Sequence, residues 1–315
     1  MKTTLGAAAL LLAFAAPALA GDPLLEAMPL DPKAPITLGI GRPNGDALAR
    51  KAKADLEPYL SRVLSRPVKV EILRDYDALA AALADGKVDI AWTTPLAFVI
   101  AAERRREVTA IAKAMRGNEL FYRAALIVRA DSPLQKLEQL QGRRVAWVSR
   151  SSSSGYLFPR ALLAAQGHDP DRWFASEIFA GDHPGVCQAV REQRVDVGAT
   201  FADEPPRGRP LQADGCAESP PMNDFRVVAA GGPIPNDVIA ARPGFDDRLV
   251  EPVLAAFARM SRDEDGKRIL EEDFHADGWG VAVEGDFKAV QDLRRAQPRK
   301  KDEVRKDARK GKARR

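Results

Sequence analysis

The chain has 315 residues, 45% of them hydrophobic and 29% charged, a balance that argues against a disordered or collagen-like polymer and leaves room for two lobes with ample core. Lys and Arg number 48 against 44 Asp and Glu, a formal net charge of +4 whose bearing on nucleic-acid or membrane partners depends on where the charge sits. Two Cys with no Cys-x-x-Cys and three His with no His-Glu-x-x-His spacing argue against zinc-finger, iron–sulfur and zincin chemistry, and no cofactor is expected.

In chain order, Met1-Lys2 is a short cationic start, residues 5–16 are an apolar run centred on Leu10, Leu11 and Leu12, and Ala18-Leu19-Ala20 is a small-residue cleavage pattern before Gly21. Residues 1–20 therefore read as an export signal that is removed. The apolar run of about 12 residues is short of the roughly 20 needed to span a bilayer. The mature protein is expected in the periplasm, where Cys187 and Cys216 either bond to each other or stay buried as separate thiols. Residues 21–35 are rich in Pro and small residues and read as an extended lead-in.

From residue 36 short β-branched runs alternate with helical stretches: strands at 36–40, 68–73 and 88–92, helices at 46–64, 76–85 and 96–106. This βαβαβα order predicts a parallel sheet with helices on both faces. A long strand at 122–129 runs into Asp131-Ser132-Pro133, and a second series follows, with strands at 144–148, 177–180 and 195–200 and helices at 154–166 and 186–193. Strands at 225–230 and 237–242 lead into helices at 246–261 and 263–273. The expected division is a first lobe of residues 36–127 and 234–297 and a second lobe of residues 128–233. Two crossings between two α/β lobes make a cleft that closes around a ligand. The Pro-rich segment 203–223 reads as a long loop of the second lobe, where a Cys187–Cys216 bond would close about 30 residues and contribute roughly 3–4 kcal/mol.

Two helix starts carry candidate chemistry. Ser149-Arg150-Ser151-Ser152-Ser153-Ser154-Gly155 follows a strand and opens a helix, so hydroxyls, unpaired backbone N–H groups and the positive dipole end coincide in a potential anion site. Thr93-Thr94-Pro95 ends a strand of the first lobe, with Thr94 as N-cap and Pro95 at the first helical position. Both starts lie at the C-terminal ends of strands, where open α/β sheets bind ligands. No Gly-x-Ser-x-Gly occurs, no His is placed as base for a Ser, and the glycines of residues 39–45 depart from a dinucleotide fingerprint, so no catalytic residue is expected.

Six segments in order carry a resemblance: 88–92, 122–142, 152–159 (Ser-Ser-Ser-Gly-Tyr-Leu-Phe-Pro), 180–183 (Ala-Gly-Asp-His), 195–199 and 234–237 (Ile-Pro-Asn-Asp). Together they resemble the phosphate/phosphite/phosphonate-binding proteins of ABC importers. The resemblance implies a type II two-lobed periplasmic-binding-protein fold, a monomer, and an interlobe cleft that holds a phosphorus oxyanion. It implies Ser152, Ser153 and Ser154 as the hydroxyl trio gripping the oxyanion, with His183 and Tyr76 as further donors. Asp203 and Asp237 match acidic positions that accept from a ligand P–OH or amino group. The sequence departs from the family at Thr93, where a second aromatic is expected, and at Asp203, where a longer Glu is expected. Phosphonate, phosphite and phosphate therefore all remain open. The implied partner is an inner-membrane ABC permease or, alternatively, a sensor kinase, and no nucleic acid is implied.

The charge divides unevenly. Residues 298–315 hold ten basic and three acidic residues, and without them 38 basic face 41 acidic, a net of −3 for residues 1–297. The basic balance belongs to a tail expected to be disordered, so anion capture would rest on oriented dipoles.

Overall fold

The computed structural model describes residues 31, 33–41, 46–205, 209–217 and 221–296. The expected export signal, most of the lead-in and the basic tail lie outside the described residues. Pro35–Arg315 form one unit and Met1–Ala34 another; in the latter, Ala34 N–H closes a turn on the Asp31 carbonyl at 3.2 Å.

The first sheet has the order β11-β4-β10-β3-β1-β2. Its members are β1 (Ile36–Ile40), β2 (Val68–Ile72), β3 (Ile90–Thr93), β4 (Thr109–Met115), β10 (Val238–Ala241) and β11 (Gly278–Val281). The second, β7-β6-β8-β5-β9, holds β5 (Phe121–Arg129), β6 (Arg144–Trp147), β7 (Ser176–Phe179), β8 (Val197–Ala202) and β9 (Phe225–Pro235). The expected parallel pairing holds among β1, β2 and β3, and the antiparallel members come from outside the βαβαβα run. β1 runs parallel to β2 and β3, but β10 is antiparallel to β3 and β4, and β11 to β4. The physical reason is that β10 enters from the other lobe instead of through a helical crossover, so its direction is free of the βαβ rule.

The strand expected at 122–129 belongs wholly to the second sheet, paired on both sides to β8 and β9. The first crossing therefore falls before Phe121 and not after residue 127. Residues Ala124, Ala125, Leu126, Ile127 and Val128 are buried, and a strand with no solvent face needs neighbours on both edges. Likewise β9 runs on to Pro235, so the return crossing is at residues 236–237. The crossings bond to each other: Asn236 N–H donates to the Leu120 carbonyl at 3.0 Å, Asn236 Nδ2 to the Glu119 carbonyl at 2.9 Å, and Ala114 N–H to the Asp237 carbonyl at 2.8 Å.

Helices α1 (Asp46–Leu64), α2 (Tyr76–Ala84) and α3 (Pro95–Arg104) follow β1, β2 and β3. α1 buries Ala49, Ala52, Leu56, Tyr59 and Leu60, a three-to-four-residue spacing that lays one face on the sheet. Beyond the serine turn α4 (Phe158–Ala165) and α5 (His183–Arg191) cover the second sheet, and α6 (Asp247–Met260), α7 (Glu264–Phe274) and α8 (Lys288–Ala296) return to the first. One apolar cluster joins Leu96, Ala97 and Phe98 of α3 to Tyr122, Leu157, Phe158 and Ile234, so the two lobes share core beside the cleft.

Gly198 of β8 is where α5 comes closest: a Cβ there would lie 2.7 Å from Val186 Cγ1 and 2.8 Å from Val190 Cγ2. Gly198→Ala is expected to lower stability by about 1–3 kcal/mol through overpacking, read as a lower urea midpoint. An unchanged midpoint would contradict this seating of α5.

Candidate functional site

The serine turn is built by its own backbone. Ser152 caps it, accepting from Gly155 N–H at 3.0 Å, and Leu157 N–H reaches the Ser152 carbonyl at 3.1 Å, which makes Ser153–Leu157 one wide π-turn running into α4. Such turns are uncommon and concentrate at functional sites. A Cβ on Gly155 would run into the Val148 side chain and come 2.9 Å from Ser152 Oγ, so the turn closes in this form with glycine. Ser151, Ser152, Ser153 and Ser154 are all buried. Buried hydroxyls are costly without partners, and here they meet backbone amides, phenols and one cavity.

The other helix start lies against it. Thr94 caps α3, its Oγ1 accepting from Ala97 N–H at 3.3 Å, with Pro95 at the first position. Leu96 N–H of the same first turn donates to Ser153 Oγ at 3.1 Å, in a buried contact. The two helix starts therefore touch. Thr93 Oγ1 beside them is buried without a hydrogen-bond partner among the described residues.

Around this contact lies a cavity of about 70 Å³. A single water needs about 10–15 Å³ on this scale, so the space admits a compact polar group several water molecules in size. Of the residues singled out from the sequence, Tyr76, Thr93, Thr94, Ser152, Ser153, Ser154, His183 and Asp237 line it. Asp203, just past β8, is not among the lining residues. Its N–H donates to Asp214 Oδ2 at 2.8 Å, and its own Oδ1 is buried without a partner among the described residues. That bond brings the described residues Asp203 and Asp214 together across the loop. Burial raises the Asp203 pKa, and burial with the Asp203 charge pushes Asp214 up to about 6.

Arg116, Tyr122 and Phe201 also line the cavity and were not read as site residues from the sequence. Tyr122 reads as a strand residue, and Arg116 follows β4, an Ala- and Lys-containing strand with no clear alternation. The signal that could have found both is position, since crossing segments necessarily border the cleft. Burial and the Asp237 carboxylate raise the pKa of both Tyr76 and Tyr122, so both phenols stay protonated. The Ser154 and Ser153 hydroxyls lie within hydrogen-bonding reach of Tyr122.

His183 opens α5, which Asp182 caps by accepting from Gly185 N–H at 2.7 Å. Its Nδ1 pairs with Thr200 Oγ1 at 2.8 Å, and its ring meets Phe201 edge-on at 4.9 Å. Burial, reinforced by the Arg116 charge, pushes its pKa down to about 3, so the ring is neutral at physiological pH. Cys187 on the same helix is bonded to Cys216, with Cα atoms 5.6 Å apart. Gly215 beside that bond packs on Thr200 and Phe201, which ties the loop to the partner of His183.

In comparisons with known proteins, residues 46–287 match the family model described as ABC transporter, phosphonate, periplasmic substrate-binding protein. A phosphate-import protein of Mycolicibacterium smegmatis is 29% identical over 162 residues, 47% of this chain and 50% of that protein. A phosphonates-binding periplasmic protein of Escherichia coli is 26% identical over 204 residues, 62% of this chain and 57% of that protein. The matched regions thus span about half of these relatives. A solved binding-protein component of an ABC phosphonate transporter from Pseudomonas aeruginosa agrees in fold, with a TM-score of 0.72 at 20% identity over 83% of this chain and 86% of that one.

The pH dependence of stability tests the buried ring. As pH falls from 6.5 toward about 3 the unfolded chain takes up a proton that folded His183 refuses, so stability present above pH 6.5 is lost across that window. Asp214 acts oppositely, costing stability as pH rises from 3.8 to about 6. His183→Gln is expected to reduce the acid loss between pH 7 and pH 5, read by urea unfolding of both proteins. Equal acid sensitivity would mean that the folded ring accepts a proton.

Proposed function

Because the chain belongs to the family of periplasmic substrate-binding proteins of phosphonate ABC transporters, we propose that it captures a phosphorus oxyanion between its lobes in the periplasm and delivers it to an ABC importer. The observation that carries this reading is the meeting of two capped helix starts at one buried, hydroxyl-lined cavity. The relatives named above import phosphate or bind phosphonates, which supports the ligand class and leaves phosphonate, phosphite and phosphate within it. Among the described residues no helix is long and apolar enough to cross a membrane.

In this reading Ser152, Ser153 and Ser154 donate to the oxyanion together with the backbone amides of their turn. Tyr76, Tyr122 and the neutral His183 supply further donors, and Thr93 and Thr94 close the first-lobe side. Each hydrogen bond to a charged oxygen contributes about 1.5–3 kcal/mol, so a handful covers the roughly 8 kcal/mol of a micromolar site after the cost of closure. The donors are preorganised and mostly neutral, which suits capture and release; the protein acts as a monomeric carrier, without turnover.

Ser153→Ala combined with Ser154→Ala is expected to weaken binding of phosphate, phosphite or methylphosphonate, whichever binds wild type, by at least about tenfold, or about 1.4 kcal/mol, in isothermal titration calorimetry. Undiminished affinity in the folded double variant would remove the oxyanion from the serine turn.

A further inference from the structure

The cavity wall carries few full charges. Its carboxylates are Asp237 and Asp273 among the described residues, and each already holds a protein cation, Arg116 Nη2 at 2.9 Å and Lys51 Nζ at 2.6 Å. Arg116 itself lines the cavity, with its side chain 11% exposed. Nε donates to the His275 carbonyl at 2.9 Å, Nη2 to Asp237 Oδ2, and Nη1 reaches Asn236 Oδ1 at 3.5 Å. Its guanidinium also lies 5.7 Å from the Tyr122 ring centre and 5.8 Å from that of Phe201. These partners come from the return crossing, from β5 and β8 and from the turn after α7, so the cation is fixed from several sides.

We infer that Arg116 is a specificity-determining residue that supplies the counter-charge inside the site, so that the ligand is a compact phosphorus oxyanion without a cationic arm and aminoalkylphosphonates are rejected. This deepens the oxyanion reading above and rests on it. An ammonium group entering the cavity needs a carboxylate. To use Asp237 it must displace Arg116 and leave a buried guanidinium uncompensated, or else sit beside that guanidinium as a like charge. Asp203 is not among the residues that line the cavity, and Asp273, which is, already holds Lys51. Asp237 and Asp203 outweigh the burial that opposes the charge on Arg116 and hold the guanidinium protonated. An uncharged arm meets no such conflict, because Leu48, Ala52, Trp92 and Phe274 give the cavity an apolar side.

The test is calorimetric titration of the full chain with methylphosphonate, n-propylphosphonate and 2-aminoethylphosphonate, the last two matched in length and differing in the terminal methyl or ammonium. Wild type is expected to bind the aminoethyl compound at least about tenfold more weakly than the propyl compound. Arg116→Gln is expected to narrow that gap to about threefold or less, and Arg116→Lys, which keeps the charge, to preserve it. Equal binding of the matched pair by wild type overturns the inference and needs no variant. So does an unchanged gap in an Arg116→Gln protein that is folded by circular dichroism. If methylphosphonate binds and neither longer compound does, size sets the selectivity and Arg116 loses the role. Failure of all three, and of phosphate and phosphite, overturns the oxyanion reading itself and this inference with it.

Discussion

The buried hydrogen bond from Leu96 N–H to Ser153 Oγ is the contact on which the rest of the site depends. It brings the first turn of a helix under one sheet against the serine turn of the other, so that two sets of helix-start donors share one small space. Everything around it serves that approach. Pro95 and the Thr94 cap start α3 at that point, the wide turn over Gly155 aims the serines, and the Leu157 and Phe158 side chains pack on α3 beside the contact. Helix starts bind anions through fixed partial charges, and two meeting at a cavity of about 70 Å³ are worth more than either in water.

Charge is handled differently at the crossings. The two segments that pass between lobes are bonded to each other through Asn236, Asp237, Leu120 and Ala114, and Arg116 spans them through Asp237 and Asn236. The cation that lines the cavity thus also ties the two crossings together. Desolvation makes the remaining groups neutral donors: both phenols are held protonated, and His183 is held unprotonated. Among the described residues the wall therefore carries Arg116 paired to Asp237, Asp273 paired to Lys51, and neutral donors, a balance that suits the proposed oxyanion carrier.

The second lobe supports this from behind. The Cys187–Cys216 bond joins α5 to the loop after β8, and Gly215 sits against Thr200, whose hydroxyl holds His183 Nδ1. The same loop carries Asp214 to the Asp203 amide. Along the chain these residues look unrelated, a Pro-rich loop, a helix Cys and a strand Thr. Their connection exists only because β8 and α5 pack face to face.

Local physics made much of the protein legible in advance. Apolar periodicity located α1, α2 and α6 to within a residue or two, cap chemistry placed Thr94 and Pro95, and four adjacent serines before Gly155 marked the turn, because these signals act over three or four residues. The antiparallel direction of β10 and β11 and the membership of Phe121–Arg129 in the second sheet were decided by tertiary structure, since each depends on which neighbour a segment finds. Arg116 is the clearest case. The sequence determined a protein with two α/β lobes and hydroxyl-bearing helix starts, but a lone arginine after an inconspicuous strand gains its place beside the ligand space only when both crossings pair and its charge finds Asp237, 121 residues away.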